Sequence, residues 1–526
     1  MFIKKLTSQV ICEPDYPVAE TVQGKLRGLL VDGTFEFRGV KYADAKRFHS
    51  PEPVKPWEGI KDAIIHGFAC PEIQTVIPQD NFNVPHVFYP QHEDCQYLNI
   101  WTQHLDKGAK RPVMVWLHGG GYATGSGIEH FAYDGENLSK AEDVVVVTLN
   151  HRLNILGHLD LSSFGDEYKN SVNLGLEDLV AALKWVNENI DAFGGDRDNV
   201  TIFGQSGGGG KVGCLLQTPA ADGLYHRAII QSGVIKDRNF ESDDSFSVKV
   251  VKAIMERYGL KDVHELETLP YFRLAEVCRD MNAGMSWAPA PNDYYLGDIF
   301  TTSIRDEAKK IPVMVGNVMG EFSGNYNNTV DDNRKNLWND EKRLSLIKEA
   351  IPEKTDEVIN AFRSAYPDKN IADVLFVDTM FRPGTLGYLD LRAEAGLTNT
   401  YSYMFALESP IYGGTVPWHN AEIPYVFKNA DYLEPSYEPG VTEPLQEIVS
   451  KAWISFAVSG DPNSDLLGGW APYTKDCPGT MIFDKKCRFA ADYDRKLTEL
   501  LAEVKRTTKR LDRSQAAKLF GGGPRI

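Results

Sequence analysis

Six strand-like runs recur along the chain, and several are apolar throughout without alternation: PVMVWLHG (112–119), DVVVVTLN (143–150), NVTIFGQS (199–206), RAIIQSG (227–233), IPVMVGNVMG (311–320) and TYSYMFAL (400–407). A strand with one wet face alternates apolar and polar residues. A parallel strand covered on both faces does not. The six segments therefore read as buried parallel strands. Between them, LGLEDLVAALKWVNENI (174–190) puts Leu176, Leu179, Val180, Leu183, Val186 and Ile190 on one helical stripe. Strands alternating with helices predict an α/β fold, a large, mostly parallel central sheet flanked by helices. Segments 240–300 and 332–395 break this rhythm and read as helical insertions covering one end of the sheet. Residues 1–510 read as a single domain and 511–526, with Gly-Gly-Gly-Pro, as a flexible tail.

Composition narrows the function. The 526 residues carry a net charge of −17, which argues against a nucleic-acid partner. The basic run VKRTTKRLDR (504–513) reads as a solvated helix face. There is no run of 18 apolar residues, so no membrane span is expected. The N-terminal MFIKKLTSQVICEPDYP lacks the apolar centre of a signal peptide, which makes the cytoplasm the expected location. Seven cysteines, scattered and without CxxC spacing, predict neither a disulfide scaffold nor a metal site. No cofactor is implied.

Candidate chemistry begins at VTIFGQSGGGGKV (200–212). A strand runs into Gly204-Gln205-Ser206-Gly207-Gly208. G-x-S-x-G between strand and helix is the nucleophile elbow, a turn so sharp that side chains on its flanks would collide. A serine nucleophile needs a place for negative charge and a base. WLHGGGYATGSG (116–127) follows another strand, so the N–H groups of Gly120 and Gly121, with that of Gly207, are candidate oxyanion donors. His118, at the loop's entry, reads as an orienting residue. The base should follow the serine, with the acid between them. Beyond Ser206 stand His226, His264 and His419. The first two lie in helical segments, whereas His419 lies in the Gly- and Pro-rich loop YGGTVPWHNAEIPYVF (412–427). Glu321, just past the strand in IPVMVGNVMGEFSG (311–324), is the candidate acid.

With these pieces the sequence resembles the type-B carboxylesterase and cholinesterase family of α/β-hydrolases. The matching stretches are EDCQYLNIW (93–101), VMVWLHGGGY (113–122), NHRLNILGHL (150–159), NLGLEDLVAALKWVNENIDAFGGDRDNVTIFGQSGGG (173–209), QSG (231–233), VGNVMGEF (315–322) and HNAEIPYVF (419–427). They fall in family order across roughly residues 20 to 485. The resemblance implies an α/β-hydrolase fold and a Ser206-His419-Glu321 triad. It also implies an oxyanion hole from Gly120, Gly121 and Gly207, and a small-molecule ester as substrate. Cys70 and Cys95 match the family's loop-closing disulfide, with two packed thiols the alternative in a reducing cytoplasm.

Departures bear on substrate. The family's usual Gly-Glu-Ser-Ala-Gly is Gly-Gln-Ser-Gly-Gly here. Gln205 removes a carboxylate beside the nucleophile, and Gly207 is expected to loosen the backbone. The 70–95 loop has Phe82, Phe88 and Tyr89 but no Trp to stack a choline head. Neutral apolar esters are therefore expected in place of choline esters. Gln205, Tyr122, Trp287, Phe322 and Trp418 are the candidate substrate-binding residues. The same triad would also serve an amidase, a carbamate hydrolase or a transacylase, and the family includes non-catalytic binding proteins.

Overall fold

The computed structural model describes residues 9–73, 87, 89–236, 244–322 and 335–504. The expected tail 511–526, most of the basic run 504–513, Phe82 and Phe88 lie outside the described residues.

The main sheet has twelve strands. In chain order they are β1 (Val10–Ile11), β2 (Leu29–Val31), β3 (Thr34–Lys41), β4 (Tyr97–Thr102), β5 (Arg111–Leu117), β6 (Val145–Leu149), β7 (Gly195–Gln205), β8 (Arg227–Gln231), β9 (Val313–Val318), β10 (Thr400–Phe405), β11 (Gly479–Phe483) and β12 (Arg488–Ala491). Side by side they run β1-β2-β3-β4-β6-β5-β7-β8-β9-β10-β11-β12. The block from β6 across to β11 is parallel. The remaining pairings at the two edges are antiparallel.

The six strand-like runs are β5 to β10, and β5 shows why they do not alternate. Val113, Val115 and Leu117 point into one core, beneath the helix α1 (Leu174–Asn189). Met114 and Trp116 point into another, with Leu445, Val449, Trp453 and Phe456 of the helix Thr442–Ser459. All five strand residues are buried. The insertions are helical only in part. Asp244–Tyr258, Tyr271–Asp280, Asp340–Ala350, Thr355–Ala365 and Arg382–Glu394 are helices, but residues 281–300 form none. Pro289 and Pro291 remove helix donors there. Among the described residues no helix is long and apolar enough to cross a membrane.

The winding reverses at β5. The chain steps from β5 to β6 on one side and then crosses to β7 on the other. In such sheets the crevice beyond the carboxyl ends at the reversal is where ligands bind. Ser206, Glu321 and the 118–125 loop directly follow β7, β9 and β5.

Candidate active site

β7 ends at Gln205 and the helix α2 (Gly207–Leu216) begins at once, so Ser206 carries the whole reversal. Its φ of 58° and ψ of −125° are strained for an L-residue. The turn is held by its N–H, which donates to the Gln231 carbonyl (2.8 Å), and by its carbonyl, which accepts from Gly210 N–H (3.0 Å). A Cβ at Gly204 would stand 2.6 Å from the Leu117 carbonyl oxygen, and one at Gly208 only 1.9 Å from it. Side chains are absent here because α2 presses on the end of β5. The serine is left partly exposed at the positive end of the helix.

The loop after β5 is fixed through its carbonyls. In a planar trans peptide the carbonyl of one residue and the N–H of the next point in opposite directions. His118 Nδ1 donates to the Gly119 carbonyl (2.9 Å). The Gly120 carbonyl accepts from the N–H groups of Ala123 (3.3 Å) and Thr124 (3.1 Å) and from Thr124 Oγ1 (3.2 Å). With these carbonyls turned into the loop, the N–H groups of Gly120 and Gly121 face the other way. Positive φ values of 81° and 65° at the two glycines allow this. His118 thus orients the loop, as its position suggested. Burial holds it well below the ordinary histidine range, so it is neutral.

Gly207 has a different reason from the one expected. It lies in the first turn of α2, where a Cβ would fall 2.1 Å from Gly121 O and 2.5 Å from Gly121 N. Close approach, and not backbone freedom, excludes alanine. Gly207→Ala is expected to push the glycine loop away and lower kcat about a hundredfold, the usual scale for an ångström of misplacement. Steady-state kinetics of the folded variant checks this, and an unchanged kcat would contradict it.

Glu321 follows β9 with a φ of 44°. Its Oε2 receives His419 Nδ1 in a buried pair. Its Oε1 accepts from Ser232 Oγ (2.6 Å) and Val318 N–H (2.9 Å). The histidine loop is zipped beside it, with Gly320 N–H donating to the Pro417 carbonyl (3.1 Å) and Trp418 bridged to Glu321. Gln205 Nε2 donates to the His419 carbonyl, which ties the histidine loop to the residue before the serine. The Phe322 and Phe381 rings pack on the imidazole, with centroids at 4.1 and 4.9 Å. Burial draws His419 down to about 3, opposed by the Asp378 charge. Burial and Asp378 push Glu321 well up, and its hydrogen-bond donors oppose them. The unused histidines lie elsewhere. His226 precedes β8, at the sheet's opposite edge. His264 is exposed and paired with Asp262 and Glu167.

Two contributors escaped the sequence reading. Asp378 accepts from the N–H groups of Met380, Phe381 and Arg382 (2.8, 2.8 and 2.7 Å) and so fixes Phe381 against His419. Ser232 braces Glu321, and the Gln-Ser-Gly triplet closing β8 was its only signal.

The five expected substrate contacts differ in their surroundings. Trp287 and Trp418 are 2% and 1% exposed and sit inside packed clusters. Gln205 is 3% exposed and holds His419. Phe322 covers the imidazole. Tyr122 alone of the five lines the cavity of about 250 Å³ beside α2, together with Gly213, Cys214, Val234, Ile299 and Phe300. Cys70 and Cys95 are buried beside each other, and both are free thiols in this structure.

Known proteins match the chain over nearly its whole length. The model of the carboxylesterase family matches residues 15–500. The para-nitrobenzyl esterase of Bacillus subtilis (strain 168) is 32% identical, covering 91% of this chain and 96% of its own. The phenmedipham hydrolase of Pseudarthrobacter oxydans is 31% identical, covering 91% and 97%. Among solved structures, an esterase from anaerobic Clostridium hathewayi, one that can hydrolyze aliphatic aromatic polyesters, superposes with a TM-score of 0.89. It is 44% identical, covering 94% of this chain and 99% of that one. These structural neighbours share the α/β-hydrolase fold.

Proposed function

The chain belongs to the carboxylesterase family and is a carboxylic ester hydrolase, and we propose that it works through Ser206, His419 and Glu321 on neutral apolar esters. His419 Nε2 takes the proton of Ser206 as Oγ attacks the ester carbonyl. The oxyanion is held by the N–H groups of Gly120, Gly121 and Gly207. His419 returns the proton to the leaving alcohol, and water then repeats the cycle on the acyl-enzyme. Glu321 keeps the Nδ1 proton in place and stabilises the imidazolium. The observation that carries this reading is the buried Glu321–His419 pair tied through Gln205 to a serine in elbow conformation. Hydrolysis of p-nitrophenyl esters from acetate to decanoate, with Ser206→Ala as control, tests it. A Ser206-dependent rate supports the reading, and none on any ester removes it.

The base acts in its neutral form, so protonation of Nε2 stops the reaction. Burial draws the His419 pKa down, which moves that loss to lower pH. The plateau of kcat/KM is expected to persist below pH ~6.5, where an ordinary histidine is already half protonated. An acid limb centred at or above that value would contradict it.

The cavity beside α2 is lined by neither Ser206 nor His419 nor the candidate oxyanion glycines. Gly213 faces it with nothing within 4 Å of where a Cβ would stand. A glycine inside a helix is less stable than alanine by about 1 kcal/mol. Gly213→Ala is therefore expected to raise unfolding stability by about that amount and to leave the ester optimum unchanged, because the cavity it enters is not lined by the triad. Urea melts and the ester series check the two expectations separately.

A further inference from the structure

The serine-bearing helix carries a buried lysine that the proposed reaction does not use. Lys211 lies on α2, is 0% exposed, and donates through Nζ to the His118 carbonyl at 3.0 Å. A buried ammonium is costly to desolvate, and an apolar residue of similar volume would avoid that cost. Desolvation accordingly draws Lys211 down to about 7, with the Glu129 charge opposing. The histidines nearby, His118, His151 and His158, are buried and held neutral.

The position of the bond suggests what the lysine does. Gly207 and its N–H belong to α2, whereas Gly120 and Gly121 belong to the loop that starts at His118. The glycine run lets the two approach, since a Cβ at Gly208 would lie 1.9 Å from Leu117 O and 2.9 Å from His118 O. Missing side chains permit contact but give it no direction. The Lys211 bond adds direction, because it fixes the peptide that opens the loop. It also steadies His118, whose ring in turn grips the Gly119 carbonyl.

We propose that Lys211 is a positioning residue that locks the two halves of the oxyanion hole to each other. This rests on the ester-hydrolase mechanism above. Without the Lys211 Nζ donor, the His118 carbonyl loses its partner and the loop's first peptide is free to turn.

Lys211→Met tests this, with p-nitrophenyl butyrate as substrate and a trifluoromethyl ketone of the same acyl length as transition-state mimic. The expected result is a folded enzyme with KM within about twofold and kcat about a hundredfold lower. Affinity for the trifluoromethyl ketone falls in the same proportion, while the matching methyl ketone binds as before. A folded Lys211→Met protein with kcat within about threefold of the parent overturns the proposal. A crystal structure of the unaltered enzyme with the trifluoromethyl ketone tests it independently of how the variant folds. The adduct oxygen should accept from Gly120, Gly121 and Gly207 while Lys211 stays on the His118 carbonyl. An adduct bound in this way with Lys211 withdrawn overturns the proposal. Absence of any adduct on Ser206 overturns the ester-hydrolase mechanism itself, and the proposal with it.

Discussion

Ser206→Ala and His419→Ala are each expected to slow p-nitrophenyl ester hydrolysis about a million-fold, the scale found when either member of a nucleophile–base pair is removed from a serine hydrolase. Neither change should unfold the protein. Ser206 holds its turn through backbone bonds to Gln231 and Gly210, which alanine keeps. The His419 backbone is placed by Gln205 and by the bridged neighbour Trp418, both independent of the imidazole. The double variant should be hardly slower than either single one, because the two groups act as a unit. Circular dichroism and steady-state kinetics together check this. A folded His419→Ala enzyme with near-parental kcat would show that the base lies elsewhere.

Glu321→Gln should cost about ten-thousandfold in kcat with little change in KM. The reason lies in which donors surround the carboxylate. Ser232 Oγ and Val318 N–H both donate to Oε1, so a glutamine would place its amide oxygen there. Its NH₂ group would then face His419 Nδ1. The ring would have to accept at Nδ1 and carry its proton on Nε2, the tautomer that cannot take a proton from serine. Because the pair is 0% and 1% exposed, water has little room to mend the mismatch. A Glu321→Gln enzyme within about tenfold of the parent would mean that Glu321 does not set the tautomer.

The strands and the reactive groups were legible in the sequence for one reason. Strands covered on both faces carry long apolar runs without alternation, so β5 to β10 stood out, and Ser206 and Glu321 lie just past two of them. The strands β1, β2 and β12 are short and, like β3, partly wet, and they carry weaker patterns. Phe381 and Asp378 were not legible because a helical stripe reports which face is buried, not how the loop before the helix turns. The burial of Trp287 and Trp418 was not legible because composition does not separate a pocket wall from a core. Lys211 was invisible for the opposite reason. A lysine is expected in solvent, and nothing beyond the glycines before it signals that it points inward. The run of glycines around Ser206 signalled a close approach, yet only the structure identified Gly121 as the neighbour of Gly207.

The measurement that most directly tests the account is covalent labelling with a fluorophosphonate, read by intact mass and peptide mapping. The account predicts a single adduct on Ser206 that forms in the parent enzyme, slows sharply in His419→Ala and is absent in Ser206→Ala. A folded parent enzyme that takes no label, or that takes it on another residue, would contradict it.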